Sequence, residues 1–318
     1  MRFLALLALL ILAMLPVRAA GQSAVQEYTV PAGSHPHDVA PAADGGIWFT
    51  AQAAGYLGWL DPNTGETRRI PLGQHSAPHG VIVGPDDAAW VTDGGQNAIV
   101  RVDGATSAVQ VFPLPDGTRN ADLNTATFDR NGTLWFTGQA GLYGHLDPSS
   151  GAMQVWDAPR GPGAYGMTAT PDHSRVFFAS LASSYIAEIN LETGEATPID
   201  PPTARQGARR IWSDSHGALW VSEWDAGQLA RYDPVAGTWQ EWKLPGARPQ
   251  AYAVYVDEQD AVWLSNWDRD QSIVRFDPAS ETFTSVPLPR ADVREIQGRA
   301  GEIWAAESAL DRIVVIRH

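Results

Sequence analysis

His37 and His79 each follow a proline, and they stand 42 residues apart in a chain of 318. Imidazole is the side chain best matched to proton transfer near neutral pH, and it is a common metal ligand. Asp93 follows His79 shortly in the chain, and Glu223 and Glu307 come later. Carboxylates of this kind orient an imidazole or share a cation with it. Arg209, Arg210 and Arg294 are suited to bind a carboxylate or to stabilise a developing oxyanion. These residue types allow proton abstraction by histidine, with carboxylates as metal or orienting groups and arginine taking up negative charge. The plain alternative for each histidine is a hydrogen-bonded turn residue. The sequence holds no nucleophile elbow, Walker loop, zincin motif, dinucleotide fingerprint or WD40 signature.

A repeat brings these residues to related positions. An apolar residue followed by an aromatic recurs at Ile47-Trp48, Ala89-Trp90, Leu134-Trp135, Val176-Phe177, Leu219-Trp220, Val262-Trp263 and Ile303-Trp304, with spacings of 42, 45, 42, 43, 43 and 41 residues. A period of that length built from short strands predicts an all-β, seven-bladed β-propeller with four-stranded blades. Asp61-Pro62-Asn63-Thr64-Gly65 and Asp233-Pro234-Val235-Ala236-Gly237 read as hairpin turns, because proline presets φ and glycine supplies the left-handed position. Six fourth strands end near Pro71, Pro113, Pro159, Pro201, Pro245 and Pro287, which suits outer edges. The seventh blade lacks its fourth strand at the C-terminus. The segment Gln26 to Pro31 is predicted to supply it and so remove the open edge. An unclosed β-solenoid or a pair of sandwiches is the alternative.

In a propeller, the loop entering strand one and the loop leaving strand two share a face. The residue eleven before each aromatic therefore belongs beside the residue three after it. The first set reads His37, His79, Asn124, Tyr165 or Gly166, Arg209, Tyr252, and Val293 or Arg294. The second reads Ala51, Asp93, Gly138, Ser180, Glu223, Asn266 and Glu307. On this reading His37, His79 and Arg294 are the candidate catalytic residues. Asn124, Tyr165, Arg209 and Tyr252 line a ligand funnel, and Asp93, Glu223 and Glu307 are candidate metal ligands. Trp224 and Trp267 fall in the loops after strand two, where they form either a ligand platform or blade-to-blade packing.

Residues 1–20 read as a secretory signal: Arg2, an apolar run from Phe3 to Leu15, then Pro16 and the small residues Ala19 and Ala20. Residues 21–318 are then one propeller domain, periplasmic or secreted, with no membrane span and expected to be a monomer. The chain has no cysteine, which excludes disulfides, thiolate metal sites and lipid attachment through an N-terminal Cys. Its net charge is −14, and −16 once Arg2 and Arg18 are removed. That argues against nucleic acid as a partner, which needs a basic footprint. The partner expected in the funnel is a small-molecule or peptidic ligand.

Ala77-Pro78-His79-Gly80-Val81, Leu134-Trp135-Phe136-Thr137, Trp220-Val221-Ser222-Glu223-Trp224 and Ala247-Arg248-Pro249 resemble the repeats of the streptogramin B lyases, the virginiamycin B lyase family. The resemblance covers essentially all of residues 21–318 and implies a seven-bladed propeller. It also implies a carbon–oxygen lyase that opens an ester bond of a cyclic depsipeptide by elimination, with Mg²⁺ held by carboxylates stabilising the enolate. The family's key histidines lie where strand one starts in the last two blades. Here those positions carry Tyr252 (or Gln250) and Arg294, while Asp292 and Glu307 are counterparts of the last-blade carboxylates. The matched histidines of this chain lie instead in blades one and two, so the resemblance implies the same chemistry only at a rotated place in the ring. The alternatives are a non-catalytic exported propeller that binds a ligand or protein, and a lactone or ester hydrolase.

Overall fold

The computed structural model describes residues 24–318, so the expected signal segment, residues 1–20, lies outside the described residues. Among the described residues no helix is long and apolar enough to cross a membrane. Within the described residues, twenty-eight strands form seven antiparallel four-stranded sheets. Blade one shows the pattern: β2 (Pro36–Pro41), β3 (Ile47–Ala51), β4 (Tyr56–Leu60) and β5 (Thr67–Pro71) pair in sequence order. The N-terminal strand β1 (Ala24–Thr29) pairs with the C-terminal strand β28 (Arg312–Arg317), with Ala24 opposite Arg317 and Thr29 opposite Arg312. The first strand therefore completes the seventh blade, as the missing fourth strand predicts.

A repeated tryptophan fills the core of six of the seven blades, with Phe177 in its place in blade four. Trp48, Trp90, Trp135, Trp220, Trp263 and Trp304 are all at most 2% exposed. A buried indole still needs an acceptor for its N–H. Asp129, Asp214 and Asp257 supply it from the turn between strands one and two, at 3.0, 3.0 and 2.7 Å. The other oxygen of each carboxylate accepts backbone N–H groups of that same turn. One aspartate thus fixes the turn and anchors the blade core together.

The first strands of the seven blades are innermost and pack side by side around the axis. Each carries a β-bulge at the same place, as between Pro36 and Val39 opposite Ala51 and Phe49. Two residues then stand against one of strand two. Hydroxyls repair the bulge. Thr50 Oγ1 accepts Asp38 N–H at 2.9 Å and donates to the His79 carbonyl of the next blade at 2.7 Å. Thr92 and Ser222 repeat both bonds. The bulge pair of each blade feeds the channel, which widens toward the strand one–strand two turns into a cavity of about 990 Å³.

Candidate functional site

The seven bulges build two stacked rings. The upper ring is His37, His79, Asn124, Tyr165, Arg209, Tyr252 and Arg294. The lower ring is Asp38, Gly80, Thr125, Gly166, Arg210, Ala253 and Glu295. Pairing settles the two open positions of the sequence reading. Ala164 faces Ser180 and Val293 faces Glu307, just as Pro36 faces Ala51, so Tyr165 and Arg294 are the equivalents of His37.

The two imidazoles meet, with ring centroids 3.9 Å apart. His37 Nδ1 lies 2.6 Å from Asp38 Oδ1, so Nδ1–H donates to the carboxylate and Nε2 keeps its lone pair. Asp38 is held in turn from across the channel: Arg210 Nη2 donates to both its oxygens at 3.0 and 3.2 Å, and Arg210 Nη1 donates to Thr125 Oγ1 at 2.9 Å. The Asn124 amide lies 3.2 Å from His79 Nε2, while His79 Nδ1 is buried without a partner. Both histidines are held well below their ordinary pKa, first by burial and then by neighbouring charge; Arg210 and Arg294 act on both. They are neutral at neutral pH and can accept a proton.

The same ring continues into an aromatic layer threaded with arginine. The Tyr165 and Tyr252 hydroxyls share a hydrogen bond, and Arg209 Nη2 donates to Tyr165 at 3.2 Å. Burial pushes Tyr165 up, but Arg209, Arg210 and the Tyr252 hydrogen bond hold it below the usual phenol value. Trp224, Trp267 and Tyr252 are in mutual contact, with centroids 5.2–5.6 Å apart. The Arg209 guanidinium lies 3.4 Å from the Tyr252 ring centroid and 4.5 Å from that of Trp224. Arg294 lies 5.2 Å from that of Trp267. Trp224, Trp267, Arg209 and Arg294 are half-buried and form the mouth.

The candidate metal carboxylates are not brought together. Each lies at the end of a second strand, one strand removed from the axis. Asp93 is consumed by its own loops: it accepts from the Ala77, Gly95 and Gln96 N–H groups, the Ser76 hydroxyl and the Gln96 amide. Glu223 accepts from Gln228 Nε2. Burial pushes its carboxyl up to about 8 and that of Glu307 up to about 7. Asp292 is tied to the Gln271 side chain.

Among the described residues, the one cluster with metal-ligand spacing is His37, Asp38 and His79, whose ligand atoms lie within 4.8 Å of one another. It does not fit Mg²⁺. That ion requires about six oxygen donors, whereas this cluster offers two imidazoles and a carboxylate already saturated by Arg210 and His37. Sequence reasoning missed Asp38, Thr125 and Glu295, the lower-ring residues beside the histidines. Four of the seven ring positions are followed by a polar residue, Asp38, Thr125, Arg210 and Glu295, and only the bulge turns these toward the channel.

The family model for the virginiamycin B lyase family matches residues 23–316. The virginiamycin B lyase of Nocardia farcinica is 29% identical over 217 residues, which are 66% of this chain and 70% of that protein. A gluconolactonase of Zymomonas mobilis is 37% identical over 87 residues, so this chain spans only about a quarter (24%) of its length and 26% of its own. A solved structure of a catalytically inactive histidine-to-alanine variant of virginiamycin B lyase from Staphylococcus aureus, with quinupristin, superposes with a TM-score of 0.84 at 20% identity. The match covers 93% of this chain and 100% of that one. At that identity the likeness shows the fold.

Proposed function

The chain belongs to the virginiamycin B lyase family, and from that premise we propose that it is an exported carbon–oxygen lyase that opens an ester by elimination. His37 is the base, and guanidinium groups take the part of a divalent cation. The observation that carries this reading is the Arg210–Asp38–His37 chain, which fixes the His37 imidazole, its ring centroid 3.9 Å from that of His79. A base held by an orienting carboxylate is the arrangement that proton abstraction needs.

In the reaction, His37 Nε2 takes the proton α to a carbonyl. The electron pair forms the Cα–Cβ double bond, and the Cβ–O ester bond breaks. The acyl group leaves as a carboxylate, so it needs no proton from the protein. Arg209 and Arg294 stand at the mouth to hold the developing oxyanion and the departing carboxylate. Asp38 stabilises the imidazolium that forms. The aromatic layer of Trp224, Trp267 and Tyr252 offers rings to an apolar peptidic substrate.

The test is incubation of residues 21–318 with quinupristin, with Mg²⁺ and with EDTA, followed by chromatography and mass spectrometry. A ring-opened product of unchanged mass, formed equally in EDTA, supports the reading. A gain of one water makes the protein a hydrolase.

One observation favours a second reading. His37 and His79 are only 3% and 6% exposed, while Arg209 and Arg294 are half-buried and reach solvent. On that reading the protein binds an anionic ligand at Arg209 and Arg294 without chemistry, and quinupristin comes back untouched.

A further inference from the structure

The two ends of the channel differ in charge. The upper ring carries Arg209 and Arg294. The cavity of about 990 Å³ at the other end is lined by eight carboxylate-bearing residues against one arginine, Arg130. Three of the eight, Asp129, Asp214 and Asp257, are occupied by tryptophan indoles. The group of interest is Glu295, on the cavity floor. It is 6% exposed, and its Oε2 has no hydrogen-bond partner. Beside it lies Asp38, also lining the cavity, and Arg210 is the guanidinium bound to Asp38. Arg210 is committed to Asp38, so Glu295 has no cation of its own, and burial and the Asp38 charge push its carboxyl well above the usual carboxylate range. The cavity wall adds Trp212 and Tyr255, whose ring centroids are 4.9 Å apart.

We propose that this cavity is a second ligand site, for an organic ammonium ion that bears an apolar group. The ammonium donates to Glu295 Oε2 and gives the ionised carboxylate the cation it lacks. The apolar part lies against Trp212 and Tyr255, whose ring faces also attract a cation. An unpaired buried carboxyl is the costly feature of this floor, and a charged donor is what it lacks. Neither His37 nor His79 lines this cavity, which meets the histidine ring through Asp38.

Isothermal titration of the protein with phenethylammonium, and with 2-phenylethanol as its neutral analogue, tests this. The expected result is one ammonium bound per chain, at least about tenfold tighter than the alcohol. Glu295→Gln is expected to weaken ammonium binding about tenfold or more, and Trp212→Leu several-fold, with a cooperative melting transition kept in each. If Glu295→Gln does not fold, Trp212→Leu carries the comparison. Equal binding of alcohol and ammonium, unchanged affinity in the variants, or no binding at all would overturn the proposal. Full displacement of the ammonium by Mg²⁺ alone would overturn it too, by making the floor an inorganic cation site.

Discussion

The cross-channel bridge between Arg210 and Asp38 makes a strong demand on stability. Their side chains are 5% and 3% exposed, and they meet through bonds of 3.0 and 3.2 Å. Arg210→Met keeps much of the apolar volume but strands Asp38, with Glu295 nearby, in a buried site. Breaking a buried pair by removing one partner costs about 3–5 kcal/mol. At about 2 °C per kcal/mol for a domain of this size, the melting temperature should fall by about 6–10 °C. The loss should depend on pH. Burial already raises the Asp38 pKa against the pull of Arg210, and removing the guanidinium raises it further. An acid whose pKa is raised on folding costs stability increasingly as pH climbs above its unfolded value of 3.8. The deficit should therefore be larger at about pH 8 than at about pH 5. Adding Asp38→Asn removes the stranded charge and should recover more than half of the loss. Differential scanning calorimetry of the two single variants and the double variant at both pH values measures this. A loss under about 2 °C, or a double variant no better than Arg210→Met, would refute the idea that the bridge is a coupled, desolvated pair.

Three further outcomes follow from the same geometry. His37 and His79 have pKa values pushed below 6.5 chiefly by burial, so the stability they contribute is complete above that value and is lost as pH falls below it; the difference between wild type and His37→Gln/His79→Gln in melting scans should shrink or reverse on acidification. Glu223, raised to about 8 by burial, is neutral in the fold near neutral pH and costs stability as pH rises from 4.5 toward that value, so Glu223→Gln should melt higher than wild type in alkaline buffer. Gly166→Ala would place a Cβ 2.6 Å from Arg210 Cα, where backbone must move, and should cost about 1–3 kcal/mol in a denaturation experiment.

The blade count, the four-stranded blades and the closing role of the N-terminal strand were legible because each follows from a periodic signal: one aromatic per unit, one hairpin turn, one missing edge. The upper ring was legible from the same offset, except where the turn between strands one and two changes length. That turn is one residue longer in blade four, between Ala169 and Val176, and one shorter in blade seven, between Gly298 and Ile303. These changes left Tyr165 or Gly166, and Val293 or Arg294, as alternatives at those two positions. The lower ring was not legible. Strict alternation sends successive strand residues to opposite faces, and only a bulge, invisible in residue types, lets both His37 and Asp38 serve the channel. Asp93, Glu223 and Glu307 read as funnel carboxylates because they share a face with the ring. Sharing a face did not give depth: strand two lies behind strand one, and Asp93 spends its oxygens on loop N–H groups.

The central claim is that the Asp38-oriented histidine pair performs elimination without a divalent cation. It is tested most directly by the initial rate of quinupristin ring opening in EDTA for wild type, His37→Gln and His79→Gln. The account predicts that EDTA leaves the wild-type rate unchanged, and that His37→Gln lowers it by about a hundredfold or more. A rate abolished by EDTA and restored by Mg²⁺, or a His37→Gln protein as fast as wild type, would contradict it.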